Sequence, residues 1–257
     1  MNLPLGWHTD VAVLEHSGST VERHDDHWVV RTPDNPTYHW GNFVLVTSAA
    51  HVGDARRWLD VFEAAFPAAR HRAIGLVADP PSSVAWTTLG LAIEHEDVLA
   101  LTGSGPAEVA LASGYVVREL GSEDDWAQDL RLTLDEYGRD DRRASFETRA
   151  TAAKARLVRA GVACWFGAFS GAELVADLGI VDCGAGVARY QSVLTAAAHR
   201  RHGLASHLLG VAATWARTRD CTQLVILADA GEPPSRLYQS LGFHPVLRTS
   251  QAYSPAP

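Results

Sequence analysis

The alternation of apolar and polar positions is clearest in the second half of the chain. The segment 122–137, SEDDWAQDLRLTLDEY, predicts a helix: Ser122 offers an N-cap, and Asp124 and Asp125 complement the positive end of the helix. A second helical pattern runs from about Phe146 to Arg159. CWFGAF (164–169), ELVADLGIV (173–181) and VARYQSVLT (187–195) predict three strands. The turns SGAE and DCGAG between them accept positive φ, so the three form an antiparallel meander. From Leu204 the apolar positions Leu204, Leu208, Val211, Ala212 and Trp215 fall at helical spacing. QLVILA (223–228) suits a strand covered on both faces. PPSRLYQSLG (233–242) carries proline near its start and glycine after its end, the asymmetry of a short helix. FHPVLRT closes the series as a strand, with Pro245 marking an edge or a bulge. The order is two helices, three strands, helix, strand, helix, strand.

The first half gains order when laid against the second. FVLVTSAAHVGDARRWL (43–59) echoes SVLTAAAHRRHGLASHLL (192–209). AIGLVADPPSS (73–83) echoes LVILADAGEPPSR (224–236), and AWTTLGL (85–91) echoes LYQSLGF (237–243). Three matches in one order, about 150 residues apart, point to an internal repeat. Two unrelated α/β segments sharing strand–turn–helix grammar are the simpler alternative.

Composition narrows the class. A length of 257 residues is near the upper end for one domain and comfortable for two. With 47% hydrophobic and 20% charged residues the chain can bury a core. A net charge of −8 argues against a nucleic-acid partner, which needs a broad Lys/Arg surface. Cys164, Cys183 and Cys221 are odd in number and form no C-x-x-C, which fits a reducing compartment. MNLPLGWHTD lacks the basic-then-apolar order of a signal peptide, and no apolar run approaches the ~20 residues that span a bilayer. A soluble, cytoplasmic protein without a membrane partner is expected.

The chemistry concentrates in HRRHGLASHLL (199–209), where a basic pair precedes a glycine and a helix start, with no carboxylate in the stretch. A helix N-terminus presents unpaired N–H groups and a positive dipole. Glycine lets the backbone approach a ligand closely, and arginine adds planar, bidentate donors. Such a stretch can cradle a pyrophosphate. It can equally be a solvated basic turn. No G-x-x-x-x-G-K-[ST] and no strand-following G-x-G-x-x-G occurs, so nucleotide-hydrolase and dinucleotide readings have little support.

Two further features decide between these readings. The stretch joins two strands through a helix, and LYQSLGF arrives about 35 residues later. Together they resemble the GNAT acetyltransferase superfamily. Its signature Q/R-x-x-G-x-G/A is matched by Arg200, Gly203 and Ala205, and its later Tyr…Gly-Phe by Tyr238, Gly242 and Phe243. The resemblance covers roughly residues 113–250. It implies an α/β (α+β) GNAT fold, a mixed, mostly antiparallel sheet with flanking helices. With the repeat it implies two GNAT-like halves, a degenerate domain over 1–108 and a catalytic domain over 113–250. It implies acetyl-CoA as cosubstrate, without metal. The pantetheine arm would lie along Val193, Leu194 and Thr195, and the diphosphate would sit on Arg200, Arg201, His202, Gly203, Leu204, Ala205 and Ser206. The family often has proline three residues before the signature arginine, where this chain has Ala197.

The reaction implied is attack of a neutral amine on a thioester carbonyl. By resemblance, Tyr238 protonates the leaving thiolate, and strand N–H groups polarise the carbonyl. Without the family, Tyr238 would be a packed aromatic on a short helix. Many members carry a glutamate on the fourth strand, eleven residues before the signature residue; Arg189 stands there. Asp177, Glu173 and Asp229 are candidate bases, none of them singled out.

Other segments carry less. HDDH (24–27) reads as a solvated turn rather than a metal site, and EHED (94–97) as a polar strand end. NPTYHWGNF (35–43) is either a substrate-facing loop or a hydrophobic plug at the domain junction. Trp58, Phe62 and Phe66 share one face of a helix over 53–66. In the first copy Asp54 stands where phosphate would sit and Trp86 replaces Tyr238, so only the second copy is expected to hold cofactor. The chain thus reads as an N-acetyltransferase moving acetyl from acetyl-CoA to a primary amine of a small molecule or peptide. The alternatives are a non-catalytic acyl-CoA sensor and an interaction module on the same scaffold.

Overall fold

The computed structural model describes residues 3–103, 105, 106, 109–229 and 233–255. Its elements in chain order are α1 (Leu5–His16), β1 (Thr20–Arg23), β2 (His27–Arg31), β3 (Phe43–Val46), α2 (Ala55–Ala65), β4 (Arg72–Leu76), α3 (Val84–Thr87), β5 (Ala92–Thr102) and β6 (Tyr115–Glu119). There follow α4 (Glu123–Tyr137), α5 (Asp141–Arg159), β7 (Ala163–Ser170), β8 (Glu173–Asp182), β9 (Val187–Thr195), α6 (Leu204–Arg217), β10 (Gln223–Asp229), α7 (Pro233–Ser240) and β11 (His244–Ser254). The chain divides into two compact units. One holds residues 1–98, 227–232 and 245–257; the other holds 99–226 and 233–244.

In the first unit the strand order is β1-β2-β3-β4-β11-β5. β3 is buried at every position, as a strand covered on both faces requires. It runs parallel to β4 in the register Val44↔Ile74. The crossover contains a 3₁₀ turn at Ala49–His51 and the amphipathic α2, whose Trp58, Leu59 and Phe62 face the core. Phe66 lies just past α2 and is only half-buried, its ring tilted against Phe62. α1 docks through Trp7, whose indole N–H donates to the Leu76 carbonyl at 2.9 Å. β11 differs from the sequence expectation. It extends to Ser254 and pairs antiparallel with β4, Ser250 opposite Leu76, so Pro245 is the second residue of an interior strand rather than the mark of an edge.

The second unit follows the order β10-β9-β8-β7-β6. β7, β8 and β9 form the expected antiparallel meander, and β10 runs parallel to β9. β6 (YVVRE) adds an antiparallel strand that the pattern did not announce. α4 starts at a full capping box: the Ser122 hydroxyl accepts from the Asp125 N–H, and the Asp125 carboxylate accepts from the Ser122 N–H. α5 begins earlier than its apolar pattern, at Asp141, because Asp140 caps it. On one face of the meander Trp165 lies over Gly179, where a Cβ would overlap the indole. α6 packs through Leu204, Leu208, Leu209, Ala212, Ala213 and Ala216.

Both units contain the same order: a strand, a 3₁₀ turn of sequence Ala-Ala-His, a helix, a parallel strand and a short helix.

Candidate functional site

β9 ends in an irregularity. Gly179 opposes Gln191 and Asp177 opposes Leu194, so β9 carries one more residue than β8 across that interval. Ser192 sits in the bulge at φ 52°. Such a bulge re-aims the following residues. The parallel pairing with β10 covers Val187–Arg189 against Gln223–Val225. Beyond it a cleft of about 630 Å³ opens along Val193, Leu194 and Thr195. The 3₁₀ turn Ala197–His199 then redirects the chain into the loop before α6.

That loop lines the cleft with His199, Arg200, Arg201 and Gly203, and α6 adds Leu204, Ala205 and Ser206. α7 closes the far side with Pro234, Leu237 and Tyr238. Every site residue expected from the sequence lines this cleft except His202. The His202 ring instead hydrogen-bonds the His199 carbonyl of its own loop. His199 Nδ1 shares a hydrogen bond of 3.0 Å with the Tyr115 phenol.

Gly203 is the N-cap of α6 at φ 75° and ψ 7°, and no side chain caps the helix. Space does not demand glycine there, since an added Cβ would meet nothing closer than 3.8 Å. Backbone conformation does: an L-residue in the left-handed region costs about 1–2 kcal/mol. Gly203→Ala is therefore expected to lower the melting temperature by about 2–4 °C per kcal/mol, measured calorimetrically. An unchanged melting temperature would mean the loop relaxes without strain.

The arginines differ. Arg200 donates from Nε to the Thr195 carbonyl at 3.1 Å and from Nη2 to Glu136 Oε1 at 2.5 Å. The stretch itself lacks a carboxylate, but α4 supplies one. Arg201 stands at φ 66° and is exposed, with no ion pair among the described residues. The His207 Nδ1–H, one turn into α6, donates to the Val109 carbonyl and fixes the helix start.

Tyr238 is 5% exposed, and its ring packs edge-on against Phe243. Burial, and then the neighbouring Tyr137, push its phenol up to about 12. The hydroxyl therefore keeps its proton at neutral pH.

The candidate bases separate. Glu173 is exposed at the start of β8 and lines a different cleft with Asp124, Gln128 and Arg131. Asp229 is exposed at the end of β10, in the other unit. Asp177 is 1% exposed and hydrogen-bonds Asp129. Burial, the Asp129 charge and that hydrogen bond raise its carboxyl well above the usual range, so of the two acids Asp177 is the one that favours the proton. Burial opposes the Asp129 charge too, but Lys154 and hydrogen bonds from Asp177, Lys154 and Thr151 outweigh it and hold Asp129 below the usual range. Lys154 Nζ and Thr151 Oγ1 each donate to Asp129 at 2.8 Å. A carboxyl shifted toward its protonated form is a poor acceptor of a proton from an amine, and Asp177 does not line the cleft that holds Tyr238. Arg189 is buried in β9, opposite Val181 and Val225.

Residues 125–243 match the model of the acetyltransferase (GNAT) family. This region belongs to the GNAT family. The GNAT fold recurs in solved structures that span the chain. A GCN5-related N-acetyltransferase from Kribbella flavida is 14% identical, with TM-score 0.69 over 100% of this chain and 98% of that one. A GCN5-related N-acetyltransferase from Sphaerobacter thermophilus is 15% identical, with TM-score 0.59 over 100% and 95%. A tandem GNAT protein from the clavulanic acid biosynthesis pathway is 16% identical, with TM-score 0.56 over 96% and 88%. No curated protein matches the chain by sequence.

Outside the GNAT region, HDDH forms the turn between β1 and β2. Asp26 there accepts from His27 at 2.9 Å and from Arg57 at 2.5 Å, so the segment is an ion-pair hub rather than a plainly solvated turn. EHED lies inside β5, not at its end, and β11 supplies partners: Arg248 to Asp97 and Gln251 to Glu96. In NPTYHWGNF the Asn42 side chain accepts from the Thr32 N–H and donates to the Asn35 and Tyr38 carbonyls, while Trp40 packs on Trp7, Phe43 and Tyr253. These groups serve the loop's own fold. Among the described residues no His/Cys/Asp/Glu group is placed to hold a metal, no helix is long and apolar enough to cross a membrane, and no cysteine forms a disulfide.

Proposed function

We propose that the chain is an N-acetyltransferase that carries acetyl from acetyl-CoA to a primary amine of a small molecule or peptide, in a ternary complex. The observation that supports this most is the single cleft that joins the bulged end of β9, the glycine-capped start of α6 and the Tyr238 phenol. The diphosphate would rest on the α6 N-terminus and the arginines. The pantetheine arm would run along Val193–Thr195, as in the family. The amine, once neutral, forms the C–N bond, the C–S bond breaks as Tyr238 gives its proton to the thiolate, and the proton shed by the acylated nitrogen passes through solvent to restore the phenol.

The first unit would be an inactive copy. It repeats the element order, yet Asp54 is the N-cap of its helix α2 and Trp86, wholly buried, stands where the second copy has Tyr238. A carboxylate at the helix start repels a diphosphate, and an indole supplies no comparable acid.

The test is release of free coenzyme A thiol from acetyl-CoA across a panel of primary amines. Release that depends on a particular amine supports the enzyme. Tight binding of acetyl-CoA with no amine-dependent release favours an acyl-CoA sensor. The buried Arg189, at the position where many members have glutamate, favours that second reading.

A further inference from the structure

Glu136 is poorly placed for its own helix. It lies in the last turn of α4, beside Asp135, where the negative end of the dipole disfavours an anion, and that turn has no basic residue. Its compensating charge comes from Arg200, 64 residues along the chain. The pair is no strong brace either. Arg200 is 49% exposed and Glu136 29%, and ion pairs of that exposure contribute little to stability. Both residues line the cleft that receives the start of α6. An anion seated there meets Arg200 with Nη2 already engaged and a carboxylate beside it.

We propose that Glu136 is a displaceable plug in the diphosphate seat and sets the threshold for anion binding. The proposal rests on the reading of the cleft as the site of a thioester carrier. Arg201, which has no ion pair among the described residues, makes the first contact with the incoming diphosphate. Two phosphates then outcompete one carboxylate for the Arg200 guanidinium, because bidentate, charge-assisted pairs are the stronger ones. Arg200 stays tethered through Nε to Thr195, so its head turns from Glu136 to the ligand without leaving the loop. The plug thus makes Glu136 a residue that sets how tightly the seat holds the diphosphate.

A double-mutant cycle tests this, with coenzyme A titrated calorimetrically into wild type, Glu136→Gln, Arg200→Gln and the double variant. Glutamine keeps the shape of glutamate, so folding is preserved. Glu136→Gln is expected to bind coenzyme A about two- to fivefold more tightly than wild type, and that gain is expected to vanish in the Arg200→Gln background. Equal or weaker binding by Glu136→Gln overturns the plug. A gain that persists without Arg200 also overturns it, since simple repulsion would then explain the effect. Absence of binding in all four proteins overturns the carrier reading and the plug together, whereas binding with an unchanged Glu136→Gln overturns the plug alone.

Discussion

Tyr238→Phe is expected to lower kcat by about 10²–10⁴-fold while leaving the affinity for coenzyme A nearly unchanged. The ring is buried on α7 and lines the cleft, so phenylalanine keeps its packing on Phe243 and removes only the hydroxyl. A phenol pushed up to about 12 is a weak acid for a free thiolate, whose ordinary value is about 8.5. Burial beside the phenol narrows that gap, because it disfavours a thiolate as well. The phenol adds no falling limb to the pH–rate profile until pH approaches about 12. A variant with full kcat would show that Tyr238 is packing only.

The largest stability change is expected from the buried acid pair. Asp129→Asn should destabilise the chain by about 3–5 kcal/mol, because it strands the Lys154 ammonium, whose side chain is 13% exposed, without its carboxylate. Asp177→Asn should behave in the opposite way. The Asp177 carboxyl is protonated when folded and donates to Asp129, a role the asparagine amide can fill. The unfolded Asp177 ionises above its ordinary value near 3.8, while the folded one holds its proton to higher pH. Its contribution to stability is therefore complete below that value and is lost as pH rises through the folded one. Relative to wild type, Asp177→Asn should gain by about 1.4 kcal/mol per pH unit across that window. Denaturant titrations from pH 4 to pH 8 measure both variants. Equal damage from Asp177→Asn and Asp129→Asn would mean that Asp177 is the ionised partner.

These two sites show what the sequence discloses. The β7–β9 meander, α6 and α7 were legible because each carries a clean period and its own turn or cap, as Ser122 and Gly203 do for their helices. The main-chain part of the cleft was legible for the same reason. β5 was not, since its polar run EHED is satisfied by Arg248 and Gln251 on β11, far along the chain. β6 was too short to announce itself. The partners of Arg200 and Asp177 escaped notice because Glu136 and Asp129 lie on another helix, and only the folded packing of α4 and α5 against β8 and the α6 loop brings them together. A pair of distant carboxylates carries no spacing rule.

The most direct test compares coenzyme A with pantetheine, which lacks the nucleotide diphosphate, by calorimetric titration of the full chain. One coenzyme A per chain is expected, with pantetheine at least about 100-fold weaker, because the helix start and its arginines grip the diphosphate. Equal affinity for the two ligands, two molecules of coenzyme A per chain, or no binding at all would contradict the account.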